Sequence, residues 1–222
     1  MNELGYSIEE GVLSVAECGE LLNSLEPLFS DERRGGVRHL MSSCQQVRHI
    51  AEDQRLKVIA ERSLGKPAIP FKATLFCKTS RANWLVSWHQ DTALPLVKFE
   101  AGDEWGPWSR KGGIDYALAP AWALERIVAL RIQLDASDES NGPLRLIEGS
   151  HKFGVLDAVA IDNIVREGCE VVATSGAGGV IAMSPLIVHA SSKTRSNKPR
   201  RVLHIEYSDS LEVAAGIRLA VA

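Results

Sequence analysis

Apolar residues recur at helical spacing near the start of the chain. From Val15 to Leu28 they follow the i, i+3, i+4, i+7 pattern of one helix face. Ser14 precedes this pattern, and Glu17 follows three residues later, which is the arrangement of an N-terminal capping box. The pattern predicts a helix over residues 14–29.

A second helix is predicted over residues 45–63, after a polar loop at 31–38. Gly65 and Pro67 follow it, and this pair is typical of a helix end. Both helices precede every segment with the pattern of a strand. The helical part of the chain is therefore expected to cover residues 1–66.

From residue 69 the pattern changes to short apolar runs separated by turn residues. Such runs predict strands, with few helices between them, and favour a double-sheet barrel or jelly roll over alternating βαβ units. One helical insertion is predicted near 156–166. The predicted strands cover residues 71–78, 85–89, 126–135, 144–148, 170–173, 180–183, 186–189 and 201–207.

The fold class predicted from this order is α+β. With 222 residues the chain is expected to form one domain, with a jelly-roll core over 69–208 and a C-terminal tail over 209–222. The apolar part of this tail is expected to pack on its own domain or on a partner. The segment 92–123 has little periodicity, and its three tryptophans favour an ordered lid or pocket wall over disorder.

Composition narrows the function without defining it. The 25 Lys and Arg residues against 28 Asp and Glu give a net charge of −3, so nucleic acid is not expected as a partner. No apolar run approaches the roughly 20 residues of a membrane helix, and the acidic start does not resemble a signal peptide. The four cysteines form no CxxC pair, and we expect a cytoplasmic protein.

Two histidines and an aspartate stand at the ends of predicted strands. His89 and Asp91 form an HxD pair after strand 85–89, and His189 ends strand 186–189. Residues i and i+2 of an extended segment point to the same side, so His89 and Asp91 are able to bind one metal ion together. A histidine from a neighbouring strand would complete a set that suits non-heme Fe(II), because it leaves positions open for a cosubstrate and dioxygen.

An HxD pair alone is weak evidence. The chain has six histidines, and His204 with Glu206 forms a second pair of the same kind. We interpret this second pair as packing or an ion pair in the sheet, because no third ligand is in view. His151 is interpreted as a structural or surface residue, and His39 and His49 as solvated residues.

A cation beyond His189 strengthens the iron interpretation. The cosubstrate 2-oxoglutarate carries a second carboxylate, and arginine binds a carboxylate through two parallel hydrogen bonds. Arg200 lies eleven residues after His189, beyond a polar turn. Arg201 is adjacent and would face the other side of the strand, so only one of the two can bind the cosubstrate; we expect Arg200.

The order of these motifs resembles the phytanoyl-CoA dioxygenase-like family of Fe(II)- and 2-oxoglutarate-dependent oxygenases. The resemblance rests on HQD at 89–91, NGPLRLIEGSHKFG at 141–154, His189 and Arg200. It covers about residues 71–207. It implies a double-stranded β-helix, which is a cupin-like jelly roll, with helices packed outside.

The same resemblance implies roles for individual residues. His89, Asp91 and His189 would bind iron, and Arg200 would bind the far carboxylate of 2-oxoglutarate. Further contacts to 2-oxoglutarate are implied at Thr74, Gln90, Arg131 and Ser191. Arg131 departs from the aromatic residue of the founding enzymes, so it could bind cosubstrate or substrate, and its position in an apolar strand requires a partner.

Substrate contacts are predicted before the iron motif and in the 92–123 segment. The candidates are two lysines and three tryptophans: Lys78, Trp88, Trp105, Trp108 and Lys111. A cation beside aromatic walls would favour a small anionic or zwitterionic substrate.

The reaction implied by the resemblance is hydroxylation of a small molecule. Family members that halogenate lack the carboxylate, so Asp91 predicts hydroxylation or a related oxidation. The cofactors would be Fe(II), 2-oxoglutarate and O2, with ascorbate as a reductant. A jelly-roll sensor that binds metal and 2-oxoglutarate, and a cupin-like hydrolase or isomerase that uses Zn or Mn without Arg200, remain open. We expect a monomer or homodimer with no membrane partner.

Overall fold

The helices lie mainly in the N-terminal third of the chain. The computed structural model describes residues 1–28, 35–98 and 103–222. Among these residues the helices are α1 (Val15–Leu25), α2 (Leu40–Ser43), α3 (Gln45–Ala51), α4 (Gln54–Leu64), α5 (Ala121–Leu124) and α6 (Ala158–Glu167). Among the described residues, no helix has the length and apolar character needed to cross a membrane.

The predicted capping box begins α1. The Ser14 hydroxyl accepts a hydrogen bond from the Glu17 backbone N–H, and the Glu17 carboxylate accepts one from the Ser14 backbone N–H at 2.7 Å. Such a cap stabilises a helix by about 1 kcal/mol. The α-helix ends at Leu25 and continues as a 3-10 turn, Glu26–Leu28. The last predicted helical residue, Phe29, lies outside the described residues.

The single helix predicted over 45–63 is wrong, because the structure divides it into α3 and α4. Asp53 stands between them in an extended conformation, and its carboxylate accepts a hydrogen bond from the Arg55 N–H at 2.9 Å. An aspartate is a favoured N-cap, so it starts a new helix within a continuous apolar pattern. The predicted end is confirmed: Gly65 adopts the left-handed conformation, with φ of 68°, directly after α4.

The strands form two main antiparallel sheets and two small ones. The larger has the order β1-β11-β8-β13-β3-β2, and the smaller main sheet has the order β10-β9-β12-β4. β5, β7 and β6 form a three-stranded sheet, and β14 and β15 form a hairpin. The strands are β1 (Tyr6–Glu9), β2 (Gly36–Val37), β3 (Ile69–Lys78), β4 (Val86–His89), β5 (Ala93–Leu96), β6 (Trp108–Lys111), β7 (Ile114–Leu118), β8 (Ile127–Gln133), β9 (Leu144–Ile147), β10 (Glu170–Ala173), β11 (Val180–Met183), β12 (His189–Ser191), β13 (Arg200–Ser208), β14 (Glu212–Ala214) and β15 (Ile217–Arg218).

Alternation along β3 separates the two faces of the larger sheet. Ala73, Leu75 and Cys77 are buried in an apolar cluster with the helices. Lys72 and Lys78 belong to the opposite series, which lines cavities between the sheets. Because strand side chains alternate with a period of two, one strand serves both the core and the site.

A second apolar cluster joins the two main sheets. Ala129 and Ile181 come from the larger sheet, and Leu144 and Leu146 come from the smaller one. Two facing antiparallel sheets with helices on the outer face are the predicted α+β jelly-roll arrangement, and that prediction is confirmed.

Two strand predictions need correction. In the predicted strand 186–189 only His189 is in a strand, because β12 begins there and the preceding residues form a turn. The 92–123 segment contains three strands, β5 to β7, and helix α5 rather than irregular structure. These strands are short and β6 is largely exposed, so they carry little apolar alternation. Residues 99–102 lie outside the described part of the segment.

The C-terminal segment packs against its own chain. Leu219 and Ala222 are buried, and the Ala222 backbone makes hydrogen bonds with both Phe71 and Ala73 of β3. Arg126 and Asp209 form an ion pair at 2.7 Å where this segment begins. Of the two arrangements expected for the tail, packing on its own domain is therefore the one found.

Candidate metal centre and active site

His89 and His189 lie opposite each other on adjacent strands of the smaller main sheet. β4 and β12 pair so that the two residues are in register, and their ring centroids are 4.2 Å apart. Asp91 follows β4, with one carboxylate oxygen 3.7 Å from His89 Nε2 and the other 3.5 Å from His189 Nε2. The three candidate ligand atoms lie within 4.8 Å of one another.

Both imidazoles are held in the orientation that a metal ligand needs. His89 Nδ1 lies 2.8 Å from the Ser87 carbonyl oxygen, and His189 Nδ1 lies 2.9 Å from the Ile187 carbonyl oxygen. A backbone carbonyl accepts a hydrogen bond only from a protonated nitrogen, so in each neutral ring Nε2 carries the lone pair. Both lone pairs are therefore available on the side where Asp91 lies.

The environment favours the metal-binding protonation states of His189 and Asp91, whereas the contact with Asp91 outweighs burial and raises the pKa of His89. Burial lowers the pKa of His189 to about 4, so this imidazole is neutral near pH 7. Burial acts to raise the pKa of Asp91, yet the neighbouring His189 and His89 hold it well below its ordinary value. A metal ion would displace the remaining proton from His89, since metal binding requires the neutral ring. Two imidazoles and one carboxylate fit a divalent transition metal, and this composition matches the set used by non-heme iron.

Arg200 and Arg201 face opposite sides of β13. Arg201 is bound by both Asp135 carboxylate oxygens at 2.7 Å, on the side of the buried Cys77. Arg200 is 4% exposed, and its guanidinium donates to Ser191 Oγ at 3.3 Å. Arg200 thus lies between the sheets near His189, which is the facing expected from the sequence.

Lys78, which the sequence predicted as a substrate contact, lies beside Arg200. It is 1% exposed, and its ammonium donates to Ser191 Oγ at 2.7 Å and to the Ser192 carbonyl oxygen at 2.6 Å. The pKa of Lys78 is lowered to about 7. Burial is the largest cause, and the charges of Arg200 and Arg131 add to it.

A small cavity of about 100 Å³ connects these cations to the three candidate ligands. Lys78, Arg131 and Arg200 line it, and Asp91 is the acidic residue among its described lining residues. The buried Arg131 Nε has no hydrogen-bond partner within the described part of the chain. Buried cations without carboxylate partners are costly. The cavity therefore fits a dianion such as 2-oxoglutarate.

A larger cavity of about 300 Å³ begins on the other side of Asp91. Phe76, His89 and Asp91 line both cavities. The larger one is also lined by cations and aromatic or acidic groups from four separate parts of the chain: Arg38, Lys72, Lys111, Tyr116, His204 and Glu206.

A chain of polar contacts forms the wall between the two cavities. Arg131 Nη1 lies 3.2 Å from His204 Nδ1, and His204 Nε2 lies 3.2 Å from a Glu206 carboxylate oxygen. The same carboxylate accepts from Lys72 Nζ at 2.6 Å. His204 is thus the partner that Arg131 requires. The second HxE pair is an ion-paired element of the sheet, as interpreted from the sequence.

Gln90 and Thr74 are outside the described lining of the smaller cavity that contains Arg200. The Gln90 amide donates to the carbonyl oxygens of Gly154 and Leu186 and accepts from the Leu156 N–H, so it holds the loop beside the HxD motif. Thr74 lines the larger cavity. Ser191 and Arg131 line the smaller cavity. Contacts of all four side chains to 2-oxoglutarate stay predictions.

The three tryptophans predicted as substrate contacts lie outside the described lining of both cavities. Trp88 packs against the Arg145 guanidinium at 4.9 Å. Trp105 is buried and meets the Trp122 ring edge-on, and Trp108 packs on the same apolar cluster. Of the predicted substrate contacts, Lys111 lies at the larger cavity.

Several residues at the larger cavity were missed in the sequence. Lys72 lies two residues before Thr74 on β3, so the alternation of the strand could have placed both side chains on the same face. Arg38 follows a two-residue strand and Tyr116 lies in a short one, so neither carried a pattern. His39, expected to be solvated, has its Nε2 3.1 Å from the Tyr116 hydroxyl.

Comparison with known proteins identifies the fold and the family of the chain. No curated protein sequence matches the chain significantly. The structure of EctD from S. alaskensis with 2-oxoglutarate and 5-hydroxyectoine is 20% identical and covers 93% of this chain and 72% of its own, with a TM-score of 0.70. The structure of the epimerase SnoN with Fe3+, alpha ketoglutarate and nogalamycin RO is 19% identical. It covers 94% of this chain and 80% of its own, with a TM-score of 0.73.

A third similar structure is AviO1 from Streptomyces viridochromogenes Tue57. It is 21% identical, covers 93% of this chain and 90% of its own, and has a TM-score of 0.65. The family model for phytanoyl-CoA dioxygenase (PhyH) matches residues 1–202, so the resemblance drawn from the motifs is confirmed. The chain belongs to the phytanoyl-CoA dioxygenase family of iron- and 2-oxoglutarate-dependent oxygenases.

Proposed function

We propose that this oxygenase hydroxylates a small molecule. The overall reaction consumes substrate, O2 and 2-oxoglutarate and gives the hydroxylated product, succinate and CO2. One oxygen atom of O2 enters the product and the other enters succinate. The observation that carries this proposal is the position of Asp91 between a cavity suited to a dianion and a larger cavity open to a substrate.

Each residue of the site has a role in this proposal. His89 Nε2, His189 Nε2 and the Asp91 carboxylate would hold the iron, because their donor atoms converge and both rings are oriented by backbone carbonyls. Iron bound there would supply the oxidation chemistry that couples 2-oxoglutarate decarboxylation to substrate oxidation. The protein residues fix where cosubstrate and substrate lie relative to it.

Arg200 and Lys78 would bind the far carboxylate of 2-oxoglutarate together. Both donate to Ser191 Oγ, so both cations converge on one point of the smaller cavity. Ser191 in turn donates to the Gly142 carbonyl oxygen at 2.8 Å, which fixes its hydroxyl. A carboxylate at this point would satisfy two cations that form no ion pair with the acidic residues that the structure describes.

Hydroxylation is proposed over other outcomes because Asp91 occupies the position that halogenating relatives leave free. The structural neighbours include an epimerase and a carbocyclase, SnoN and SnoK, so the fold alone does not select the reaction. A cytoplasmic location, a small-molecule substrate and a monomeric or homodimeric state stay predictions.

The proposal is tested by turnover with labelled 2-oxoglutarate, Fe(II), ascorbate and O2 enriched in heavy oxygen. Pools of small metabolites are added, and succinate and oxidised products are followed by mass spectrometry. We expect one pool to stimulate succinate formation and to yield a product that gains one labelled oxygen, with both lost in Asp91→Ala. A product changed in hydrogen count or ring number without added oxygen would refute hydroxylation.

A further inference from the structure

The larger cavity carries an excess of positive charge around its entrance. Arg38, Lys72 and Lys111 line it, against Asp91 and Glu206. Lys72 and Glu206 neutralise each other through their 2.6 Å ion pair. Asp91 is the ligand proposed for iron, so its charge is also compensated in the loaded enzyme. Arg38 and Lys111 are left as two cations without a compensating anion.

Among the described residues, no acidic side chain pairs with Arg38 or Lys111. Arg38 and Lys111 make no ion pair with any acidic residue in the part of the chain that the structure describes, and both are exposed. They lie close enough to influence each other. Burial is the largest cause that lowers the pKa of Lys111, and the charges of Arg38 and Lys72 lower it further. Like charges held together in this way favour the binding of an anion between them.

Local packing fixes the place of both cations. Lys111 ends β6, and the Gly112 turn lies directly on the His39 ring, where an added Cβ would be 2.6 Å from a ring carbon. The Tyr116 hydroxyl lies 3.1 Å from His39 Nε2, and the Lys111 ammonium is 5.0 Å from the centre of the Tyr116 ring. The β6–β7 hairpin is therefore attached to the segment that carries Arg38.

The geometry points to a substrate with an anionic oxygen group, a carboxylate or a phosphate, bound by Arg38 and Lys111. The body of this substrate extends past Tyr116 toward His89 and Asp91, where oxidation occurs. This inference rests on the proposed function, since it assigns the larger cavity to the substrate. The cavity of about 300 Å³ has room for a small organic anion.

Binding of matched probes tests this inference without turnover. Hexanoate, hexyl phosphate, hexanol and hexylamine share one alkyl chain and differ in their head group. Their affinities are measured by calorimetry on the full-length protein, first metal-free and then under anaerobic conditions with Fe(II) and saturating 2-oxoglutarate. In the second condition the smaller cavity is filled, so the probes report on the larger one.

We expect the two anionic probes to bind at least roughly tenfold more tightly than hexanol, because each charge-assisted hydrogen bond is worth more than one between neutral groups. Hexylamine should bind weakest. Arg38→Met and Lys111→Met should each weaken the anionic probes by roughly tenfold and leave hexanol unchanged. Lys57→Met, on α4 and outside the lining of the cavity, removes the same charge and should have no effect.

Equal affinity for hexanol and the anions, or anion binding unaffected by Arg38→Met and Lys111→Met, would overturn the inference. Anion binding lost in Arg200→Ala but retained in Lys111→Met would place the anion in the smaller cavity and would also overturn it. A failure of the proposed function looks different. In that case Fe(II) and 2-oxoglutarate fail to bind, while the metal-free measurement still reports the preference for anions.

Discussion

Lys78 and Arg200 lie directly opposite each other on β3 and β13, and both donate hydrogen bonds to the same Ser191 hydroxyl oxygen. Two buried cations rarely share one neutral acceptor, because their mutual repulsion is strong inside a protein. The arrangement makes sense for a pocket that is completed by a dianion. It adds Lys78 to the proposed cosubstrate site, beside the arginine expected from the sequence motifs.

Removal of either cation should weaken the binding of 2-oxoglutarate. We expect Arg200→Ala and Lys78→Met each to raise the 2-oxoglutarate concentration for half-maximal succinate formation by roughly tenfold or more, since a charge-assisted hydrogen bond is lost. The maximal rate should change less than this concentration. Steady-state kinetics at saturating Fe(II) measures both quantities.

The matched control for this comparison is Arg201→Ala. Arg201 is bound by Asp135 on the opposite face of β13, so its removal should lower stability and leave the 2-oxoglutarate requirement unchanged. If Arg201→Ala raised the requirement and Arg200→Ala did not, the assignment of the two faces would be incorrect.

Loss of one donor should abolish tight metal binding. We expect His189→Ala and Asp91→Ala to reduce Fe(II) affinity by at least roughly a hundredfold, because the remaining two ligands cannot form a three-point face. Equilibrium dialysis under anaerobic conditions gives the affinity. His49→Ala removes a histidine on α3 and should bind iron normally. Equal iron affinity in all of these proteins would exclude the proposed ligand set.

The Lys72–Glu206 ion pair should be important for stability. The side chains are 18% and 4% exposed, and Glu206→Gln would leave the Lys72 charge without its partner. We expect the free energy of unfolding to fall by about 3 kcal/mol or more. Lys72→Met combined with Glu206→Leu should be more stable than Glu206→Gln alone, because the pair is then replaced by apolar groups. Urea denaturation of both variants checks this order.

Asp209 should make stability depend on pH in the acid range. Burial raises its pKa, but hydrogen bonds from Arg126 and Lys66 outweigh burial and hold it below the ordinary value. A lowered carboxyl pKa stabilises the fold above the pKa of the unfolded chain, about 3.9, and this contribution is lost as pH falls through the folded value.

The matching variant is Asp209→Asn. At pH 7 we expect it to be less stable than the wild type by about 2 kcal/mol. Near pH 3 the difference should shrink, since the carboxyl of the unfolded chain is then largely protonated and the advantage of the ionised folded form decreases. Urea midpoints at the two pH values measure the effect. A difference that is the same at both would show that the aspartate charge makes no contribution.

The sequence predicted the parts of the site that lie on regular strands. His89, Asp91 and Arg200 could be placed because period-two alternation and a motif order define their facing. The same alternation on β3 contained Lys72 and Lys78, but a lysine between apolar residues is equally typical of a solvated face. The burial of Lys78 depends on a tertiary contact, because its ammonium donates to Ser191 of β12 in the smaller main sheet.

Other parts could not be predicted because tertiary contacts override local pattern. Asp53 interrupts a continuous helical periodicity by capping α4. Arg38 reaches the larger cavity from a two-residue strand that exists only because β2 pairs with β3. The hairpin that carries Lys111 consists of short, partly exposed strands held by the His39 contact. The segments that carry Arg38 and Lys111 have no apolar repeat.

The central claim is that His89, Asp91 and His189 hold iron beside a 2-oxoglutarate bound by Arg200. The most direct measurement is an anaerobic titration of the protein with 2-oxoglutarate in the presence of Fe(II), followed by visible absorption. We predict a metal-to-ligand charge-transfer band in the wild type, no band in Asp91→Ala, and a band requiring more 2-oxoglutarate in Arg200→Ala. Iron that binds to the wild type without producing the band, or an unchanged band in Asp91→Ala, would contradict the account.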